Sequence, residues 1–226
     1  ILLIFFVISF ITNIIGPLMP DIIESFNLSL TLVALIPFAF FIAYGVMSIP
    51  AGMLLLKFKE KHLIVSAFIV IFFGAILLAL LPSYLTALFS FFIIGCGMAV
   101  LQVVINPLLR VTGGEEHFAM YAVFAQLVFG FASFISPLVY TQLASETFFL
   151  ADYPFLQNLS TFLIPKELPW ISLYFLFSVI SLFMILILAF SKFPKVELKS
   201  NEKSGALATH IKLFKNKQIQ LFFLGM

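Results

Sequence analysis

The chain has 226 residues, 63% of them hydrophobic and only 10% charged, with 31 phenylalanines, a mean hydropathy of +1.20 and a formal charge of +2. A water-soluble domain needs a charged coat that this composition cannot supply, so the chain is an integral membrane protein. Its single cysteine, Cys96, excludes an internal disulfide and a thiolate metal site.

A helix needs roughly 20 apolar residues to cross about 30 Å of hydrocarbon, and six such runs follow one another along the chain. The sequence opens at Ile1 already inside the first, without an initiator methionine, and closes on Leu221 to Met226, the start of a seventh. It reads as a stretch cut from a longer chain at both ends. Span 1, about residues 1–20, carries Ser9, Asn13 and Gly16 on one helical face, a candidate pore lining. Pro17 and Pro20 interrupt it near its end, and Asp21, Glu24 and Asn27 mark a short polar turn. Span 2, about 30–56, carries Tyr44, Ser48, Pro50 and Gly52 and ends at the basic turn Lys57, Lys59, Glu60, Lys61, His62. Span 3, about 63–81, is interrupted only by Ser66 and Gly74 and is expected at the periphery.

Span 4 is the most informative stretch, because it holds a glutamine and an asparagine where lipid rejects both. Gln102, Asn106 and Arg110 follow at four-residue spacing, so they share one face, with Arg110 near the end. Gly95, Gly97 and Ala99 let another helix come close, and Pro107 weakens the backbone ladder. A polar membrane helix broken by proline is the kind that lines a transport path, although the same amides serve equally as interhelical glue. Span 5, about 118–143, shows Gln126, Gly130, Ser133, Pro137 and Tyr140 along one stripe, a third inward face. Span 6, about 169–190, offers only hydroxyls such as Ser178 and Ser181 and reads as a lipid-facing support like span 3.

If the turn after span 2 is cytoplasmic, eleven of the twelve Lys and Arg residues fall inside and only Lys166 outside, which fixes an expected topology with the N-terminus in. The outer loop, about 144–168, is long and half apolar, suited to cap a vestibule or lie at the interface; it includes a glycosylation-type tripeptide at Asn158. The inner segment 191–220 is lysine-rich, and Leu207, Ile211 and Phe214 form a short amphipathic stripe on it, either membrane-surface or part of a solvated linker. The expected organisation is a six-helix bundle over 1–190, a cytoplasmic linker over 191–220 and the start of a seventh helix over 221–226.

The two groups of three spans share a plan, with polar faces on the first two and a nearly unbroken apolar third. Such a three-plus-three half followed by a basic linker and a new span is the anatomy of major facilitator transporters. The sequence also resembles the fucose/galactose/glucose:proton symporters of that superfamily, through LTLVALIPFAFFIAYGVMSIPAGMLL (30–55), GMAVLQVVINPLLRVTGGEE (97–116) and Ala125-Gln126. The resemblance covers nearly the whole chain and is most specific at Pro50 to Gly52 and at Asn106-Pro107. It implies an all-α membrane fold, namely the N-terminal half of a twelve-helix sugar transporter of a bacterial inner membrane, working by alternating access. The family carries an aspartate in span 1 and a glutamate in span 4 as proton-responsive, sugar-binding groups; counted without gaps, those positions fall on Gly16 and Gln102. Its span 1 asparagine aligns with Asn13 and its span 5 glutamine with Gln126.

The residues themselves agree that no Asp, Glu, Lys or Arg sits in the middle of any span, where proton-coupled carriers commonly place one. Coupling then resides in the C-terminal half, uses sodium, or is lost, leaving facilitated diffusion. The expected substrate is a monosaccharide held by Asn13, Gln102, Asn106 and Gln126, with Phe38 or Tyr44 stacking on the ring; amides suit vicinal hydroxyls because each offers a donor and an acceptor. The amides of the first, fourth and fifth spans are expected to converge at mid-bilayer. Gly16, Pro50, Pro107 and Arg110 are the expected gating positions. The expected partners are the sugar, the lipid bilayer, the carrier's own C-terminal half and, if transport is coupled, a proton or sodium ion, with no nucleic acid. No nucleophile beside a base, metal cluster or phosphate loop is present, so neither enzymatic activity nor a cofactor is expected. Two rivals remain: export of an apolar or amphipathic compound, and a membrane scaffold that transports nothing.

Overall fold

A computed structural model describes residues 1–114, 116–144, 168–191 and 193. The linker, the seventh-span start, the outer loop with its tripeptide and the Leu207 stripe lie outside these residues.

The first crossing is two helices, α1 (Leu2–Asn13) and α2 (Ile15–Phe26), meeting at Ile14. Pro17 is the cause, because it has no N–H to return to the Asn13 carbonyl and its ring crowds that group. The ladder resumes with the Leu18 N–H on the Ile14 carbonyl at 3.2 Å and runs through Pro20. It stops at Asn27, which is left-handed (φ 50°, ψ 48°), with the Leu28 N–H closing on the Ile23 carbonyl at 3.0 Å. The expected end at Pro20 is therefore corrected. Pro17 falls in the first turn of α2, where its missing donor is tolerated, so the prolines bend the crossing and Asp21 and Glu24 ride on the last turns of α2.

The other crossings are α3 (Leu30–Leu55), α4 (Glu60–Leu80), α5 (Tyr84–Gly113), α6 (Phe118–Ala144) and α7 (Ser172–Phe190), the last entered through a 3₁₀ turn at Pro169–Ile171. Together the described residues contain six stretches long and apolar enough to cross a membrane. Ser29 caps α3, accepting from the Leu32 N–H at 3.4 Å, and Ser83 and Thr86 form a reciprocal capping box on α5. The proline expectation for span 4 is also corrected. Only the first crossing is interrupted; Pro37 and Pro50 in α3, Pro107 in α5 and Pro137 in α6 all lie inside continuous helices. A single missing N–H leaves the flanking ladder intact, and neighbouring helices support it.

The most extensive pairings are α3 with α5, α4 with α5, α4 with α7, and α1 with α6. Exchanging the first three crossings for the last three carries α3–α5 onto α6–α1 and maps α4–α7 onto itself. The three-plus-three plan is thus visible in these two pairings, while α4–α5 has no counterpart of similar extent between α7 and α1. At the α3–α5 contact, a Cβ on Gly95 would overlap the Phe40 carbonyl oxygen and lie 3.1 Å from the Ala43 Cβ. On the other flank of α5, a Cβ on Gly97 would lie 2.6 Å from Ile71 Cγ1 and 2.9 Å from the Ala67 carbonyl. Helices without a hydrophobic driving force between them associate by close packing, so these two glycines set where α3 and α4 cross α5.

Spans 3 and 6 are only half peripheral. Ile64, Phe68, Ile71, Ala75 and Leu78 of α4 are fully buried, while Ile69, Val70 and Phe73 look outward; α7 likewise buries Leu173, Tyr174 and Phe177 and exposes Val179, Leu182 and Phe183. An apolar run cannot say which neighbour, lipid or helix, covers it. The least buried crossings are instead α3 and α6.

At one end, Trp170 Nε1 donates to Ser25 Oγ at 2.9 Å and stacks edge-on with Phe26 and Tyr174, tying α7 to α2. At the basic end, Lys61 Nζ donates to the carbonyls of Ala189 at 2.7 Å and Ser191 at 2.9 Å. A cation on the final carbonyls of a helix completes orphan acceptors and opposes the helix dipole. Lys61 of the basic turn is thus a cap on α7.

Candidate transport site

The site is built around the α1–α6 contact. Ser9 Oγ donates to the Phe129 carbonyl at 2.6 Å, and Ser136 Oγ donates to the Phe10 carbonyl at 2.8 Å, both serines being fully buried. The second bond has a clear cause. Phe10 lies four residues before the break at Ile14, where the ladder stops, and the hydroxyl from α6 takes over at its carbonyl. Ser9 therefore does not line a pore, as its helical face led one to expect; it clamps α1 to α6. Ser136 was not singled out from the sequence, although Ala125, Ala132 and Ser136 form a small-residue stripe at helical spacing that marks this contact.

Asn13 stands one turn beyond the clamp, half-buried at the break. Its Nδ2 donates to the Ser9 carbonyl at 2.9 Å and reaches Ser9 Oγ at 3.2 Å. On α5, Gln102 is half-buried with its Oε1 shielded from water and without a hydrogen-bond partner. Asn106 is exposed and turns its Nδ2 back to the Gln102 backbone carbonyl at 3.4 Å. Gln126 is exposed on α6 together with Gly130, while Tyr140 further along the expected stripe is buried with its hydroxyl unpaired. The stripe thus leaves the open face for the interior along its length.

Among the other expected residues, Phe38 is 58% exposed on α3, and Tyr44 is half-buried with its ring 6.1 Å from that of Phe40. Gly16 is exposed, with open space where a Cβ would stand. Pro50 is exposed, Pro107 is half-buried, and Arg110 sits half-buried in the last turn of α5.

The amides are staggered in depth. Ile14 and Ile15 meet Phe91 and Ile94 around a small void, and Ile4 meets Leu108 at the basic end, so α1 and α5 run antiparallel with Gln102 opposite the middle of α1. At 1.5 Å per residue Gln102 lies about 8 Å nearer the basic end than Asn13. The two clamp bonds set residues 9 and 10 of α1 against 129 and 136 of α6, so Asn13 and Gln126 lie on opposite sides of the clamp, about 15 Å apart along the bundle. The expected convergence at one depth is corrected to a ladder of amides. The reason is the offset register between α1 and its neighbours, which helical spacing within one span cannot reveal. Two cavities, one of about 250 Å³ at the basic end and the small void beside Ile14, are apolar and contain none of these amides.

Uncharged hydrogen-bonding groups thus stand at several depths along a bundle of membrane-crossing helices. The model of the Major Facilitator Superfamily matches residues 1–226 throughout, and the chain belongs to that family. It is a multi-pass membrane protein with the fold of the N-terminal six-helix half, in a family of transporters and not of enzymes. Among curated proteins it is 34% identical to a glucose/galactose transporter of Brucella abortus over 139 residues, which is 60% of this chain and 34% of that protein. It is 26% identical to the L-fucose-proton symporter of Escherichia coli over 219 residues, which is 92% of this chain and 50% of that protein. Among solved structures it matches the major facilitator transporter FucP in its outward conformation, with a TM-score of 0.67 at 24% identity over 92% of this chain and 53% of that one. A variant of the Escherichia coli fucose:proton symporter gives a TM-score of 0.62 at 23% identity over 99% of this chain and 55% of that one. The chain thus spans about half the length of these relatives, or less.

Proposed function

We propose that this chain forms the N-terminal half of a monosaccharide carrier of the inner (plasma) membrane, with glucose, galactose and fucose as the sugars to test first. The observation that carries the proposal is the presence of neutral amides on apolar crossings, with Asn106 and Gln126 exposed and Asn13 and Gln102 half-buried. An amide left open at membrane depth costs free energy unless a partner pairs it, and a sugar hydroxyl does so without bringing charge into the membrane. The sugar-carrying relatives support the same substrate class. The sugar enters between this half and a second six-helix half. It is held along the ladder of Asn13, Gln102, Asn106 and Gln126, with Phe38 or Tyr44 against its ring. Bending at the interrupted first crossing, beside Gly16, accompanies the rocking of the two halves, while Pro50, Pro107 and Arg110 contribute to the inner gate.

Ion coupling follows a different logic. The charged residues of the described crossings lie in terminal turns, as Asp21, Glu24, Glu60, Lys61 and Arg110 do, and Gly16 and Gln102 are neutral. A coupling proton is therefore carried by the other half, or a sodium ion is used instead, or transport is facilitated diffusion. Uptake of labelled hexose by the full-length carrier in proteoliposomes tests the proposal. Gln102→Ala abolishes uptake if the amide binds sugar, and unchanged uptake removes it from the site. Hexoses block a sugar carrier and leave an exporter of apolar compounds untouched.

A further inference from the structure

We propose that Ser9, which does not face the transport path, sets the hydrogen-bond polarity of the site by forcing Asn13 to present its oxygen and not its nitrogen to substrate. This rests on the sugar-carrier reading and adds which atoms of the sugar are read.

The orientation of an asparagine amide follows from its hydrogen-bond network. Ser9 Oγ has one hydrogen, committed to the Phe129 carbonyl at 2.6 Å, so toward Asn13 this hydroxyl can only accept. The second group that Asn13 meets is the Ser9 backbone carbonyl, also an acceptor. With the amide reversed, Oδ1 would face two acceptors and no hydrogen would lie between them. Nδ2 therefore faces Ser9, at 2.9 Å from the carbonyl and 3.2 Å from the hydroxyl, and Oδ1 faces away from it. Burial of Ser9 holds this arrangement, since no water competes for its hydroxyl.

The first crossing then recognises a solute by the hydrogen of a hydroxyl. Ser9 is a positioning residue here, acting only through Asn13. The expectation that every amide offers both a donor and an acceptor is narrowed at Asn13 to the acceptor.

Fluorine in place of a hydroxyl keeps the size and a weak acceptor but removes the hydrogen, so deoxyfluoro sugars read this polarity. The full-length carrier in proteoliposomes is given whichever of D-glucose, D-galactose and L-fucose it takes up, in competition with the deoxy and deoxyfluoro analogues of that sugar at each ring position. In the wild type, fluorine at one position at least weakens competition about tenfold or more, as badly as removing the hydroxyl altogether. Ser9→Ala removes the hydroxyl and leaves the residue 9 carbonyl as the one acceptor facing Asn13, so the amide is held less firmly; the penalty for fluorine at that position shrinks, and an unchanged penalty in this variant overturns the proposal. Ser9→Thr keeps the hydroxyl and the wild-type pattern, and Ser9→Cys, a weak acceptor of similar size, falls between and stands in if the alanine variant fails to fold. A purely structural role for Ser9 would weaken parent and fluorinated sugars alike. That outcome, or a wild type indifferent to fluorine at every position, overturns the proposal. Failure of all three parent hexoses to be taken up is a distinct result, which removes the sugar reading itself.

Discussion

Replacing Gln102 by Met separates a binding amide from a structural one by the sign of its effect on stability. Met has nearly the length of Gln and no polar head, so the exchange conserves volume and disturbs packing by less than about 1.5 kcal/mol. It removes an acceptor that is shielded from water and has no partner among the described residues. An unsatisfied buried group of this kind costs about 1–3 kcal/mol. The variant is therefore expected to be more stable than the wild type in the absence of sugar, by roughly 2–6 °C in Tm for a unit of this size. Sugar uptake falls at least about tenfold, one hydrogen bond's worth. Thermal unfolding of the full-length carrier in detergent, paired with hexose uptake in proteoliposomes, reads both quantities. A lower Tm with uptake intact would refute the reasoning and make Gln102 an interhelical tie.

Ser136→Ala acts in the opposite direction. It strips the donor from the Phe10 carbonyl at the broken first crossing and is expected to destabilise by about 0.6–1.7 kcal/mol, read as a lower Tm. Gly95→Ala drives a methyl group onto the Phe40 carbonyl and is expected to cost about 1–3 kcal/mol, whereas Gly16→Ala, with open space at that position, leaves the Tm unchanged. Gln102→Glu places an ionisable group on an otherwise uncharged wall; uptake measured between mildly acidic and mildly alkaline pH is expected to vary more steeply with pH than in the wild type.

The membrane class, the six crossings and the small-residue character of α5 were legible in the sequence, because apolar length and glycine at the helix contact leave local marks. Gly95 and Gly97 do in the structure what their spacing implied. What was not legible depends on two chains of contacts at once. Pro17 looked like an ending and is a bend, since only the ladder beyond Ile14 shows the helix resuming. Ser9 looked like a pore residue because it shares a face with Asn13, yet its hydroxyl is spent on the Phe129 carbonyl. Uniform apolar runs in spans 3 and 6 could not announce that one side of each packs on α5 or on the other. The amides stand out in the sequence as polar groups on otherwise apolar crossings. Their stagger was hidden, because relative depth is set by the register between helices and no single helix encodes it.

The central claim is that the amide ladder carries a sugar, and counterflow of labelled hexose through the full-length carrier in proteoliposomes tests it most directly. The account expects D-glucose, D-galactose or L-fucose to exchange rapidly and the Asn13→Ala, Gln102→Ala double variant to exchange none. Wild-type exchange in that double variant, or no exchange of any hexose by the intact carrier, would contradict it.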